Sequence, residues 1–430
     1  MPALAPMFGY LFGAIGIGVP IAFALLFCAM VTGIVGGGDT DAQIMAAQLM
    51  RGTDSVALMA LPFFILAGEL MNRGGLTHRI IALCQATVGR FRGGLGYVTI
   101  LACLLFGSLV GSAVASTAAL GAILIPMMVR AGYNRERSTG LLASSNLVAA
   151  IMPPSIPLIV YGATAGVSIQ SLFLGGLAPA VYITIIMCTV WFIISRSREA
   201  VREESPRPTA PELLRLVMSA FWALMLPVII LVGLRGGIFT ATEAGVVAVV
   251  YALVIGCFIY RELNITELFR SLVSASKMSA VVMFLAAAAQ VMAYYMTTAG
   301  LPGIITETFS GMAEHPTLLV ICLMLFVILI GTIMDVVPTI LIVTPIVVPL
   351  LQLAEVDLVY FGILFTLANV IGLITPPVGP SLNVACAVGQ VKIERAIRPI
   401  LPYLLAQTAL VLLLALFPEL ILTPLRWLDV

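Results

Sequence analysis

Two copies of one polar pattern interrupt an otherwise apolar chain. Asn146 is followed seven residues later by Pro153-Pro154, and Asn369 is followed at the same spacing by Pro376-Pro377. Proline lacks an amide proton and its ring clashes with the preceding turn, so each double proline ends a helix. Within hydrocarbon, backbone groups freed in this way are costly unless something polar satisfies them. A pair of such breaks is therefore read as a binding device. Half-helix N-termini face anions, while exposed carbonyls and helix C-terminal ends face cations.

The neighbouring side chains fit the cation half of that chemistry. Around the first break stand Ser108, Gly111, Ser112, Ser116, Asn146, Pro154 and Ser155; around the second stand Gly331, Thr332, Asp335, Thr339, Asn369, Thr375 and Pro377. Neutral oxygen ligands suit a hard monovalent cation. The competing reading is that Ser and Thr in apolar helices bond back to their own turn. A carboxylate inside a bilayer is expensive and usually functional, which gives Asp335 an ion-linked role, with capping of the following helix as its rival. Glu69 is expected to pair with Arg73 four residues on, and Glu243 to sit at a helix start.

The elements that carry these residues repeat. With an offset of 223, Pro126 meets Pro349, Asn146 meets Asn369, Pro153-Pro154 meets Pro376-Pro377, Pro157 meets Pro380, Gly166 meets Gly389, and Pro179 meets Pro402. Ser116 meets Thr339, and a one-residue gap brings Gly107-Ser108 onto Gly331-Thr332. The stretches 94–131 and 317–353 read as re-entrant hairpins, and 137–166 and 357–389 as broken helices. Single spans are expected at 8–34, 55–72, 172–195, 217–235, 240–261, 276–296 and 399–425, with interfacial segments at 76–90 and 264–274. The division is a first repeat over 1–195, a cytoplasmic linker plus one extra span over 196–239, and a second repeat over 240–430. The extra crossing turns the second repeat upside down. Plain full spans in place of hairpins are the rival topology.

In this arrangement every Lys and Arg except Arg51, Arg235 and Arg426 falls on one face. The positive-inside bias makes that face cytoplasmic, with the N-terminus inside and the C-terminus outside. No Lys or Arg lies between Arg137 and Arg196 or between Lys277 and Lys392. An anion bound there is therefore expected to rely on co-bound cations, half-helix dipoles and hydroxyl or amide groups.

Composition agrees with a membrane chain. Of the 430 residues 61% are hydrophobic and only 10% charged, against about a quarter charged in soluble domains. A net charge of +1 gives no reason to expect nucleic acid as a partner. The seven cysteines lie in apolar runs without a CxxC pair, and neither His78 nor His315 reads as a ligand. There is no HExxH, Asp-rich diphosphate or GxxxxGK[ST] motif, so an enzyme is not expected. The fold class expected is all-α integral membrane.

At these residues the chain resembles the large membrane subunit of tripartite ATP-independent periplasmic (TRAP) transporters, the DctM-like family. The matching strings are Phe106-Gly107-Ser108, Gly111-Ser112-Ala113-Val114-Ala115-Ser116, Pro126-Met127-Met128, Ala131-Gly132-Tyr133, Pro153-Pro154-Ser155-Ile156, Tyr161-Gly162 and Ser168-Ile169. The second half adds Gly331, Asp335, Pro338-Thr339, Thr344-Pro345-Ile346 and Thr375-Pro376-Pro377-Val378-Gly379. The chain departs from the family pattern at Val110, where a second serine is usual, and at Leu147-Val148-Ala149, where a glycine-rich turn is usual.

The resemblance implies an inverted-repeat fold of the ion-transporter superfamily with elevator-type movement. It implies sodium-coupled uptake of an organic acid such as a C4-dicarboxylate, sialic acid or another sugar acid across the bacterial cytoplasmic membrane. It also implies two partners, a small four-helix membrane subunit (DctQ-like) and an extracytoplasmic substrate-binding protein (DctP-like). No cofactor beyond the coupling sodium ions is expected. A stand-alone sodium/carboxylate symporter of the same superfamily is the alternative, and uptake without a binding protein would mark it.

Overall fold

The structure, a computed structural model, describes residues 4–35, 41–196 and 209–428. Residues 197–208 of the expected linker, with Arg198, Arg202 and Arg207, lie outside the described residues. Every regular element among the described residues is helical. Among the described residues seven helices are long and apolar enough to cross a membrane: Ala113–Arg130, Ile169–Ser195, Ala210–Arg235, Ala241–Ile259, Ile265–Thr298, Val336–Leu353 and Ile393–Leu416. The chain is a multi-pass membrane protein.

Local chemistry sets the helix ends. The turn between Gly94–Val110 and Ala113–Arg130 is two residues long. Gly111 closes the first helix in the left-handed region (φ +64), and Ser112 opens the next, its hydroxyl accepting from Ala115 N. Only glycine takes that conformation without steric penalty. Thr240 and Glu243 form a reciprocal capping box at the head of Ala241–Val254, which is the helix-start role expected of Glu243. Asp357 caps Leu358–Gly372 by accepting from Tyr360 N.

Three expected spans take a different form. The stretch 8–34 is two helices, Leu4–Gly16 and Ile21–Val35, separated where Gly18 (φ +89) and Pro20 interrupt the ladder. The interfacial segment 264–274 and the span 276–296 are one continuous helix of 34 residues, Ile265–Thr298, because no proline or glycine lies between them. The last stretch divides at Pro418 into Ile393–Leu416 and Glu419–Leu428. An additional amphipathic helix, Ala42–Thr53, was not anticipated; Gly52 lets it press on Ile265–Thr298, where a Cβ would come within 2.7 Å of Ala287 Cα.

The packing of the two halves is exchanged. Helix Ala113–Arg130 packs on Pro380–Gly389, and its offset partner Val336–Leu353 packs on Ile156–Ala165. Likewise Ile21–Val35 packs on Ile265–Thr298, while Ala241–Val254 packs on Ala60–Arg73. The leading arm of each helix pair stays within its own half: Gly94–Val110 lies on the turn Asn146–Ala150, and Pro316–Gly331 lies on Leu358–Gly372. Leu358–Gly372 also touches Asn146–Ala150, so the two interrupted helices meet at the centre.

Candidate functional site

Each break is a helix that ends near an asparagine, at Ser145 in the first half and Gly372 in the second, and restarts after a cis Pro-Pro pair. In the first half Arg135–Ser145 tightens into a 3-10 turn over Asn146–Ala150, and Ile156–Ala165 resumes after Pro153-Pro154. Ser155 is the N-cap of the resumed helix: its hydroxyl accepts from Leu158 N and donates back to the Ala150 carbonyl. The tip of the adjacent helix pair sits directly on this break. A Cβ on Gly111 would meet the Pro154 carbonyl at 2.7 Å, and one on Gly107 would meet Ala149 Cα at 2.7 Å.

Asn146 is fully buried and joins the break to Ala113–Arg130. Its amide nitrogen lies 2.7 Å from Ala113 O, 2.6 Å from Ser116 Oγ and 2.8 Å from Thr117 Oγ1. Two amide protons thus face three acceptors. The Ser116 and Thr117 hydroxyls donate to the Ser112 and Ala113 carbonyls. Asn146 Oδ1 is buried with no hydrogen-bond partner among the described residues. Ser108 donates to Leu105 O within its own helix and forms no hydrogen bond to the break among the described residues. Thr117 was missed in the sequence because it lies one residue past the serine that matched across the repeat.

The second break holds corresponding residues differently. Leu358–Gly372 ends near Asn369, and Pro380–Gly389 resumes after Pro376-Pro377. Gly331 and Gly372 let two backbones touch: a Cβ on Gly372 would lie 2.6 Å from the Gly331 backbone, and one on Gly331 would lie 2.5 Å from Asn369 O. Gly379 N donates to Thr332 O at 2.9 Å, which ties the turn of the helix pair to the break. Thr332, Thr339 and Thr375 each donate to carbonyls of their own turns, Leu329, Asp335 and Ile371. Asn369 is fully buried, and among the described residues neither Nδ2 nor Oδ1 has a hydrogen-bond partner.

Asp335 stands at the exposed side of its turn as the N-cap of Val336–Leu353, one oxygen accepting from Val336 N at 2.7 Å. Of the two roles weighed for it, the geometry displays the cap. Glu69 does pair with Arg73 (3.4 Å), and the same guanidinium also reaches Glu267 at 2.9 Å. Among the described residues no group of three or more His, Cys, Asp or Glu is placed to hold a metal ion.

Two residues outside the expected set belong to this region. Gln407, in an apolar helix, is buried and donates to Ser144 O at 2.9 Å beside the first break. Arg51 lines a cavity with Ser55, Thr164 and Gln290. A lone glutamine inside a hydrophobic run was a usable signal for the first. Nothing in the sequence pattern placed Arg51 near either interrupted helix.

Residues 8–420 match the family model of the tripartite ATP-independent periplasmic transporter, DctM component. The chain belongs to the DctM family. The large permease protein of the 2,3-diketo-L-gulonate TRAP transporter of Escherichia coli is 44% identical, with 98% of each chain covered. The isethionate TRAP transporter permease protein DctMQ of Oleidesulfovibrio alaskensis is 35% identical over 96% of this chain and 65% of its own length. Among solved structures, the YdaH transporter of Alcanivorax borkumensis is similar with a TM-score of 0.58 at 14% identity, covering 93% of this chain and 98% of that one. At that identity the likeness is one of fold. This chain is therefore a TRAP large permease with a transporter architecture.

Proposed function

We propose that this TRAP large permease imports an organic acid by coupling its movement to sodium ions, together with a small DctQ-like membrane subunit and an extracytoplasmic binding protein. The observation that carries the reading is Asn369, a fully buried amide with neither its nitrogen nor its oxygen bonded, at the crossing of two interrupted helices. Leaving such a group unpaired costs about 1–3 kcal/mol. A ligand that bonds it recovers that cost, so binding and local order rise together. Asn146 Oδ1 offers a second unpaired oxygen at the matching position.

In this reading the residues singled out by spacing divide between ion binding and shaping of the breaks. Sodium binds near the two tips among Ser112, Ser116 and Asn146, and among Thr332, Thr339 and Asn369. Ser108, Gly111, Pro154 and Ser155 shape the first break, as Gly331, Thr375 and Pro377 shape the second. Asp335, exposed at the second turn, supplies negative charge at a cation entrance. The exchanged packing of the halves supports an inverted repeat over 1–195 and 240–430, with 196–239 carrying the connecting span. The two helix pairs and broken helices would then travel as one elevator unit against Ile21–Val35, Ala60–Arg73, Ala241–Val254 and Ile265–Thr298.

The distribution of Lys and Arg supports a cytoplasmic N-terminus and an extracytoplasmic C-terminus in the bacterial cytoplasmic membrane. The substrate class is drawn from relatives whose names carry sugar acids and a sulfonate, all of them anions. The test is uptake into liposomes holding this chain and its small subunit, with the binding protein outside. Concentrative uptake under an inward sodium gradient, absent with potassium in its place, is expected. Uptake indifferent to sodium would overturn the coupling.

A further inference from the structure

The cavity beneath Arg51 is built from four separate elements. Arg51, Gly52, Ser55 and Leu58 form one wall; Thr164 comes from the end of Ile156–Ala165, Gln290 from Ile265–Thr298, and Leu341 and Pro345 from Val336–Leu353. Its volume is about 290 Å³, enough for a small organic acid. It therefore lies between the outer helices and the two elements that carry the second turn and the first broken helix.

Arg51 is exposed and contributes to the lining of this cavity. Arg51 forms no ion pair among the described residues, and no carboxylate lines the cavity with it. The offset of 223 places Ser274 at the matching position in the other half. Ser274 donates to Glu69 Oε1 at 3.0 Å, within the network Glu69–Arg73–Glu267–Arg270. The Ser274 position thus sits in a network of paired charges drawn from both halves, and the Arg51 position leaves a guanidinium without an ion pair among the described residues, in a cavity lined by Ser55, Thr164 and Gln290. Gly52 makes this placement possible by allowing the helix carrying Arg51 to press on Ile265–Thr298.

We infer that Arg51 receives the carboxylate or sulfonate of the incoming organic acid in this cavity before the acid reaches the broken helices. A guanidinium matches such oxyanions with two parallel N–H donors. The inference rests on the proposed organic-acid uptake, and it assigns the cationic group that the interrupted stretches lack. The bland role for Arg51, a cation in the last turn of Ala42–Thr53, would not make the cavity discriminate between anions and cations.

The test reads that discrimination directly. Ser55→Cys, in a chain with the exposed Cys322 replaced by alanine, is modified with methanethiosulfonates bearing either a sulfonate or a trimethylammonium group. The anionic reagent is expected to react roughly tenfold faster relative to a free thiol, the lower end of charge focusing in a cleft. Arg51→Gln should remove the preference and Arg51→Lys should keep most of it. Thr164→Cys provides a second reporter in the same cavity. Equal rates for the two reagents at both reporters, or a preference that survives Arg51→Gln, would overturn the assignment. The rates need no transport, so a preference found without sodium-driven uptake would sink the coupling and spare the cavity. Sodium-driven uptake without a preference would do the reverse.

Discussion

The two breaks share a sequence pattern and differ in how their asparagines are held. Asn146 faces three acceptors within 2.8 Å, and Pro153-Pro154-Ser155 is buried around it. Asn369 has no partner at either atom, and Pro377 and Val378 of its break are exposed. The difference traces to single residues. Thr117, whose hydroxyl faces Asn146, is matched at the offset of 223 by Ile340, which has no hydroxyl. Ser116 and its match Thr339 bond alike to the carbonyl four residues back, Ser112 and Asp335, and of the two Ser116 is the one an asparagine reaches. A repeated motif can therefore serve as a structural joint in one half and leave an amide free for a ligand in the other.

The largest effect that would break this comparison is on folding. Asn146→Ala removes the buried amide that bonds the Ala113 carbonyl and the Ser116 and Thr117 hydroxyls, and is expected to cost about 2–3 kcal/mol. Thermal unfolding in detergent measures it; an unchanged midpoint would remove Asn146 from its structural role. Next comes Gly111→Ala, which places a Cβ 2.7 Å from the Pro154 carbonyl at a positive φ. About 1–2 kcal/mol is expected from the backbone conformation alone. Thr117→Val keeps the shape and removes one hydroxyl, for about 1 kcal/mol. A loss as large as that of Asn146→Ala would mean that Thr117, and not the asparagine, anchors the joint.

The smallest effect on stability is expected at Asp335→Asn, since asparagine caps a helix as well as aspartate does. Its consequence should appear in the sodium titration of uptake, as a several-fold higher concentration for half-maximal rate. A wild-type titration would leave the carboxylate with the cap alone.

Much of this site was legible because helix breakers and caps are local. Pro153-Pro154, Pro376-Pro377, Gly111 and Ser112 act through their own backbone, so spacing alone placed them at breaks and turns. What spacing could not show was partnership across the fold. Whether Asn146 or Asn369 finds an acceptor depends on the helix 30 residues upstream and on one hydroxyl at Thr117. Arg51 escaped notice for the same reason: its cavity needs Thr164, Gln290 and Pro345, which are distant in the chain. The continuous helix Ile265–Thr298 was divided in the sequence reading because its charged first turns, with Glu267 and Arg270, resemble an interfacial segment. The stretch 8–34 reads as one span because it is apolar over its length, whereas Gly18 and Pro20 divide it into two helices.

The central claim, that the unpaired second-half amide takes up the coupling ion, is tested most directly by sodium-dependent thermal stability of the purified permease. Wild type should gain several degrees between potassium chloride and sodium chloride at equal ionic strength. Asn369→Ala should unfold at nearly the wild-type potassium value, because it loses no protein hydrogen bond, and should gain little from sodium. A sodium shift of the same size in both proteins would contradict the account.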